Sequence, residues 1–305
     1  MLPNFVCVGA EKAGTTPLFR VLEQHRDVFM PRHKETHFFT EQWHWKPIAV
    51  YEAHHFRGGA LERAVGESTP DYMRYPEVPA RLHQVLGPDL KLIFCLRDPV
   101  RRAFSQYHLC CRLLEETESF ETAITLESQR IAADPIFGRR RAYLGASRYQ
   151  EQIERFLPFF RRENMFFMVL EEDFRSERAR TVARLFDFLG VGPDRKVKLE
   201  VQDTSNRAPL IRVSTAAKPL RQKLKGSFKL LPPGSLAIQT GNAWSNAVIE
   251  RPSRAIERHL RHLATHLTER LDEVAVQRLY REEFKDEIGR LEEFLGRDLA
   301  SWRHD

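Results

Sequence analysis

The sequence has no C-x-x-C and no H-E-x-x-H spacing. It therefore offers neither the paired thiolates of a structural zinc site nor the histidine pair of a catalytic one, and no metal is expected. Four cysteines in 305 residues are too few for a disulfide framework. Cys7 and Cys95 sit inside apolar strand-like runs, and Cys110 and Cys111 are adjacent, which disfavours a bridge between them. Long hydrophobic runs are missing: stretches such as Phe166–Leu170 are strand-length, far short of the roughly 20 residues of a membrane helix. No basic-then-apolar leader opens the chain, because Pro3 and Asn4 lead straight into Phe5-Val6-Cys7-Val8-Gly9. The expectation is a cytoplasmic protein without a membrane span. No block of like charge is present either. The net charge of +6 is spread along the chain, which suits an anionic small ligand at least as well as a nucleic acid, so no nucleic-acid partner is expected.

What is present is an alternation of short apolar runs with longer amphipathic stretches, the pattern of βαβ units around a mainly parallel sheet. Strands are expected at Asn4–Gly9, Val28–Met30, Ala64–Gly66, Lys91–Leu96 and Asn164–Leu170. Helices are expected from Thr16 as N-cap with Pro17 at the first turn, from Pro99 behind an Asp98 cap, over Ser147–Phe160 and Thr181–Leu189, and over Val276–Leu295. Residues 201–246 hold Pro, Gly, Ser and basic residues without clear periodicity and read as an irregular lid or acceptor segment.

Three segments carry chemistry. The first, Gly9-Ala10-Glu11-Lys12-Ala13-Gly14-Thr15-Thr16, follows a strand and opens a helix, the context of a phosphate loop. Its glycines let backbone N–H groups turn toward an anion at a helix N-terminus. A nucleotide-triphosphatase loop has lysine directly after the second glycine. Here Thr15 takes that place and the lysine has moved to Lys12, which argues for a metal-free anion site. In the second, Leu96-Arg97-Asp98-Pro99 through Ser105, Arg97 ends a buried strand where open α/β sheets bind ligands, and Ser105 lies two turns into the next helix. The third, Pro31-Arg32-His33-Lys34-Glu35-Thr36-His37-Phe38-Phe39, offers a carboxylate that is ionised at neutral pH and able to take an alcohol proton.

These segments resemble the 5'-phosphosulfate loop, the 3'-phosphate strand and helix, and the Lys-Glu-x-x-Phe-Phe segment of the P-loop sulfotransferases. These enzymes use 3'-phosphoadenosine 5'-phosphosulfate (PAPS), and the resemblance is to the bacterial and heparan-sulfate-type branch. It covers roughly residues 3–190 and the terminal helix. It implies a single α/β domain of P-loop type over 1–305, with a central mainly parallel sheet flanked by helices. The implied reaction is sulfuryl transfer to a hydroxyl or amine of a small-molecule or glycan acceptor, without metal, leaving 3'-phosphoadenosine 5'-phosphate (PAP). Lys12 and Glu35 are the implied catalytic residues. Lys12, Ala13, Gly14, Thr15 and Thr16 surround the 5'-phosphosulfate, and Arg97 and Ser105 hold the 3'-phosphate. Tyr149 lies toward the adenine or packs in its helix. Lys225-Gly226, or alternatively Asn206-Arg207, supplies a late contact. On the acceptor side stand Lys34, which orients the donor or Glu35, and His37, which assists Glu35 or packs in its loop. Glu67 is a second acid of the site or a strand-end carboxylate paired with lysine or arginine. Ser68 stands where glycosaminoglycan enzymes usually carry lysine, and Trp43 stacks on an acceptor or packs in its loop. A P-loop small-molecule kinase and a non-catalytic nucleotide-binding module are the alternatives.

Overall fold

A computed structural model describes residues 1–57, 62–113, 115–200 and 270–304, with three short strands between 227 and 245. The chain divides into two compact units. Met1–Arg102, Leu144–Asp203 and Val274–Asp305 form the first; Ala103–Tyr143 and Thr204–Glu273 form the second.

The first unit is built on five parallel strands, β1 (Phe5–Gly9), β2 (Val28–Phe29), β3 (Ala64–Ser68), β4 (Lys91–Leu96) and β5 (Met165–Val169), in the order β2-β3-β1-β4-β5. The helices in chain order are α1 (Thr15–Leu22), α2 (Ile48–His55), α3 (Val78–Leu86), α4 (Pro99–Arg112), α5 (Phe120–Thr125), α6 (Glu127–Ala133), α7 (Pro135–Arg140), α8 (Tyr149–Glu154), α9 (Arg178–Leu189), α10 (Glu273–Leu279) and α11 (Lys285–Leu295). Phe5, Val6 and Val8 of β1 and Leu92 to Leu96 of β4 have no exposed surface. Central parallel strands lose both faces to packing, which is why these segments read as unbroken apolar runs rather than as alternating ones. From β1 the chain moves toward β3 and β2, and from β4 it moves toward β5. The carboxyl ends of β1 and β4 therefore flank a topological switch point, where open α/β sheets bind ligands.

In the second unit, the Glu116 carboxylate receives both guanidinium nitrogens of Arg130 (2.6 and 2.9 Å), the Tyr143 hydroxyl (2.8 Å) and the N–H groups of Thr117 and Glu118. Burial works against the charge, but these five donors outweigh it and hold the Glu116 carboxyl below its usual pKa.

Several boundaries differ from the sequence expectation. Helix α1 starts at Thr15, not after Thr16, because Gly14 serves as N-cap in the left-handed region at φ 90°. A Cβ on Gly14 would lie 2.7 Å from Leu170 Cδ1, so both conformation and space require glycine. Regular helix in the 147–160 stretch is confined to Tyr149–Glu154, although Phe156 and Phe160 are still buried. A π-helical turn, Tyr280–Phe284, splits the expected terminal helix into α10 and α11. The 201–246 segment is not irregular throughout: β6 (Ser227–Leu230), β7 (Leu236–Thr240) and β8 (Ala243–Ser245) form an antiparallel sheet. Their alternation, as in Ser-Phe-Lys-Leu, spans only four or five residues, too short to register as a period. Lys225, Gly226, Asn206 and Arg207 lie outside the described residues. All four cysteines are free and buried, with the Cys7 and Cys95 sulfurs 3.9 Å apart. No described helix is long and apolar enough to cross a membrane.

Candidate active site

The loop after β1 is fixed by backbone. Ala10 N–H donates to the Cys95 carbonyl at 2.6 Å, tying the loop to β4, and Ala13 N–H closes a turn onto the Ala10 carbonyl at 3.2 Å. A Cβ on Gly9 would meet Met73 Cβ at 2.7 Å and the Pro70 carbonyl at 2.8 Å, so the loop passes close under the chain that follows β3. Lys12 is held at φ 68°. Its carbonyl accepts from Arg97 Nη1 at 3.1 Å, and the Glu11 carbonyl accepts from Arg102 Nη1 at 3.3 Å. Two guanidinium groups thus brace the loop from the end of β4 and the start of α4. Arg102 is fully buried and donates through Nε to Ser147 Oγ at 2.6 Å.

Arg97 is itself partly buried. Burial works against its charge, and the Glu171 carboxylate, 3.9 Å from Nε, opposes that effect. A partly buried cation whose Nε has no hydrogen-bond partner is a favourable partner for an incoming anion. Tyr149 OH donates to the Arg97 carbonyl at 2.8 Å, and the ring lies 5.9 Å from that of Trp302. Tyr149 is therefore a buried side chain tied to the Arg97 backbone. Ser105 is half-buried on α4, within the second unit. Among the loop residues, Ala13 and Thr15 are buried, while Lys12, Gly14 and Thr16 are partly open.

The acceptor-side segment is fixed by side chains instead. Glu35 N–H donates to the carbonyl of Ser68, the last residue of β3, which pairs with Cys7 of β1. The segment therefore sits at the same end of the sheet as the phosphate loop. Thr36 is pinned twice, through its N–H to Thr69 Oγ1 (3.0 Å) and through its hydroxyl to Glu67 Oε1 (2.6 Å). Glu67 is 0% exposed and also accepts from Thr69 Oγ1 (2.7 Å) and from the Tyr51 hydroxyl. This corrects both readings of Glu67. It does not face an acceptor, and its hydrogen-bond partners are hydroxyls rather than lysine or arginine; it anchors the loop that does carry Glu35. Burial, and then the Glu67 charge, push the Tyr51 and Tyr72 hydroxyls well above the usual tyrosine pKa, so both stay protonated.

On either side of Thr36, Glu35 (φ 69°) and His37 (φ 51°) are left-handed. With Lys12, they are the only positive-φ residues other than glycine among the described residues. Such conformations cost about 1–3 kcal/mol each and persist only where the surroundings enforce them. Lys34 Nζ lies 2.7 Å from Glu35 Oε1, and the charge of Lys34 reaches the Cys7 thiol at the end of β1. Glu35 is 40% exposed, open to an acceptor. His37 Nε2 is 3.7 Å from Glu35 Oε2, and its Nδ1 is 3.1 Å from Asp71 Oδ2. Ser68 is buried, and its carbonyl is taken by Glu35 N–H. Trp43 stacks on Phe39 with Arg81 against its ring and is partly exposed, whereas Trp45 is 68% exposed. Asp71 and the Glu11–Arg74 ion pair were not singled out in the sequence. Their one local signal is that Asp71 follows Pro70 directly behind β3.

A sulfotransferase-domain profile matches residues 2–219. The membrane-associated sulfotransferase kil1 of Dictyostelium discoideum is 37% identical over 120 residues, covering 39% of this chain and 25% of that protein. Mouse heparan sulfate glucosamine 3-O-sulfotransferase 3A1 is 32% identical over 191 residues, covering 62% of this chain and 46% of that protein. The chain thus spans from a quarter to about half of the length of these relatives. A solved sulfotransferase from Alicyclobacillus acidocaldarius superposes with a TM-score of 0.67 at 25% identity, covering 99% of both chains. Since the domain profile takes in well over half of the sequence, the chain belongs to the sulfotransferase family.

Proposed function

We propose that the protein transfers a sulfuryl group from PAPS to a hydroxyl or amine of an acceptor, with Lys12 and Glu35 as its catalytic residues. The observation that carries this reading is the meeting of three features at one end of the sheet. These are a glycine-bounded loop opening an eight-residue helix after β1, the partly buried Arg97 after β4, and the left-handed Glu35 hydrogen-bonded to the end of β3.

The N–H groups of Gly14, Thr15 and Thr16 at the start of α1, with the helix dipole behind them, bind the 5'-phosphate. Arg97 binds the 3'-phosphate by charge-assisted hydrogen bonds. Lys12 stabilises the negative charge that grows on the departing phosphate oxygen, the kind of electrostatic stabilisation that dominates such transfers. Glu35 takes the proton of the attacking hydroxyl or amine, and Lys34, whose Nζ lies 2.7 Å from Oε1, orients it. The relatives named for heparan sulfate support a glycan hydroxyl as the acceptor.

Calorimetric titration with PAP, in EDTA-containing buffer and in parallel with ATP and magnesium, tests the donor class. Metal-independent PAP binding that weakens in Arg97→Ala is the expected result. Magnesium-dependent ATP binding with no PAP binding would overturn the proposal in favour of a kinase.

A further inference from the structure

We propose that Asp71 is a positioning residue for the Glu35 base: through His37 it presents an imidazole lone pair to Glu35, making a path by which the acceptor's proton leaves the site. The inference rests on the reading of Glu35 as base and adds two residues to it.

An ionised Asp71 can only accept, so the 3.1 Å contact requires that His37 Nδ1 carry the proton. A neutral His37 in that tautomer has its lone pair on Nε2, the atom 3.7 Å from Glu35 Oε2. That separation exceeds a hydrogen bond, and unliganded sites commonly hold such pairs slightly apart. The backbone fixes the arrangement. Glu35 and His37 flank Thr36, whose N–H and hydroxyl are both tied down, so neither left-handed residue relaxes without breaking bonds to Thr69 and Glu67. On the other side, Asp71 opens the one-turn helix Tyr72–Arg74, and its own carbonyl accepts from Arg74 N–H at 3.1 Å. Asp71 is only 16% exposed, and its second oxygen, Oδ1, is buried without a hydrogen-bond partner. The carboxylate is thus committed to His37 rather than to solvent.

The charged groups facing His37 are Asp71 from the turn after β3, Glu35 from its own loop and Glu41 from the turn that follows it. Lys34 sits on the far oxygen of Glu35, and the Glu11–Arg74 pair lies behind Asp71. Burial disfavours the imidazolium, but the hydrogen bond and charge of Asp71, then Glu35 and Glu41, outweigh it and hold the His37 pKa above its usual 6.5. The step balances as follows. The acceptor oxygen forms its bond to sulfur while the bond from sulfur to the phosphate oxygen breaks, and PAP leaves with that electron pair. The hydroxyl proton passes to Glu35 and then to His37 Nε2. Glu35 is restored as carboxylate, and the imidazolium is paired with Asp71. His37 is 29% exposed and releases the proton to water.

The test uses the full chain with nitrogen-15-labelled histidine and PAP bound, with the His37 signals assigned by their loss in His37→Gln. The expected result is a neutral His37 protonated on Nδ1, with a titration midpoint that falls by roughly a unit or more in Asp71→Asn. PAPS consumption with water as acceptor should fall about tenfold or more in Asp71→Asn, its acidic limb moving to lower pH, while PAP affinity stays unchanged. Should Asp71→Asn fail to fold, Glu35→Gln at the open end of the path is expected to lower the same midpoint by a smaller amount. A His37 protonated on Nε2, or a midpoint indifferent to both substitutions while PAP still binds, would overturn the proposal and leave the donor assignment intact. Failure of the wild-type chain to bind PAP would instead overturn the sulfotransferase reading.

Discussion

The donor-side loop and the acceptor-side loop lie at the same end of one sheet and both contain left-handed residues, yet they are held by different means. Around Gly9–Thr16 the restraints are backbone ones: Ala10 N–H on the Cys95 carbonyl, Gly14 as a left-handed cap, and two arginines on the carbonyls of Glu11 and Lys12. Around Lys34–Phe39 they are side-chain ones: a buried Glu67 gathering three hydroxyls, Tyr72 OH accepting from Phe39 N–H, and a cluster of Phe38, Phe39, Trp43 and Tyr51. Both loops are held by distant segments, residues 95–102 for the first and residues 51–72 for the second. The first differs in that its restraints fall on main-chain atoms and its glycine spacing is legible in a short stretch of sequence.

The largest effect that would break this comparison is on the donor side. Lys12→Ala should lower PAPS turnover by about 10²–10³-fold, measured as single-turnover rates, because its charge acts on the leaving oxygen while backbone holds the loop. On the acceptor side, Glu67→Ala leaves three buried hydroxyls without their acceptor. It should cost about 3 kcal/mol, read as a lower denaturant midpoint, and should lower turnover by less than Lys12→Ala does, without altering PAP affinity in the fraction that stays folded. Loss of PAP binding in folded Glu67→Ala would show that the two loops are not independently held.

Smaller effects sharpen the contrast. Arg97→Ala should weaken PAP binding by roughly 10–100-fold, the size of a charge-assisted hydrogen bond. The smallest effect concerns Glu11. Burial opposes its ionisation, but the charge and hydrogen bond of Arg74 outweigh this and hold its carboxyl below the usual 4.5. Its contribution to stability is therefore fully present above 4.5 and is lost as pH falls through the lower folded-state value. Arg74→Met should flatten that acid limb in a pH series of thermal melts, and an unchanged limb would remove the pair from the account.

The same contrast explains what could be read in the sequence. The five parallel strands, the phosphate loop, Arg97 at the end of β4 and Glu35 all rest on local patterns: apolar runs, glycines at fixed spacing, and short motifs. Glu67 was misread because its three hydroxyl partners come from residues 36, 51 and 69, and sequence spacing carries no sign of that meeting. Asp71 lies in a stretch, Gly66–Tyr72, that resembles an acceptor-side segment of the family, but it was given no role of its own, since its partner His37 lies 34 positions away. Gly14 was read as letting backbone N–H groups turn toward an anion; it is also the helix cap, a task assigned from sequence to Thr16. The short strands β6 to β8 escaped because four or five residues cannot establish a period.

The central claim is that two phosphates of one nucleotide bind across the β1–β4 switch point, and a crystal structure of the protein grown with PAP tests it most directly. The account predicts the 5'-phosphate on the N–H groups of Gly14, Thr15 and Thr16 and the 3'-phosphate on Arg97, with the open face of the 5'-phosphate turned toward Lys12 and Glu35. A nucleotide bound elsewhere, or one whose phosphates leave Arg97 on Glu171 alone, would contradict it.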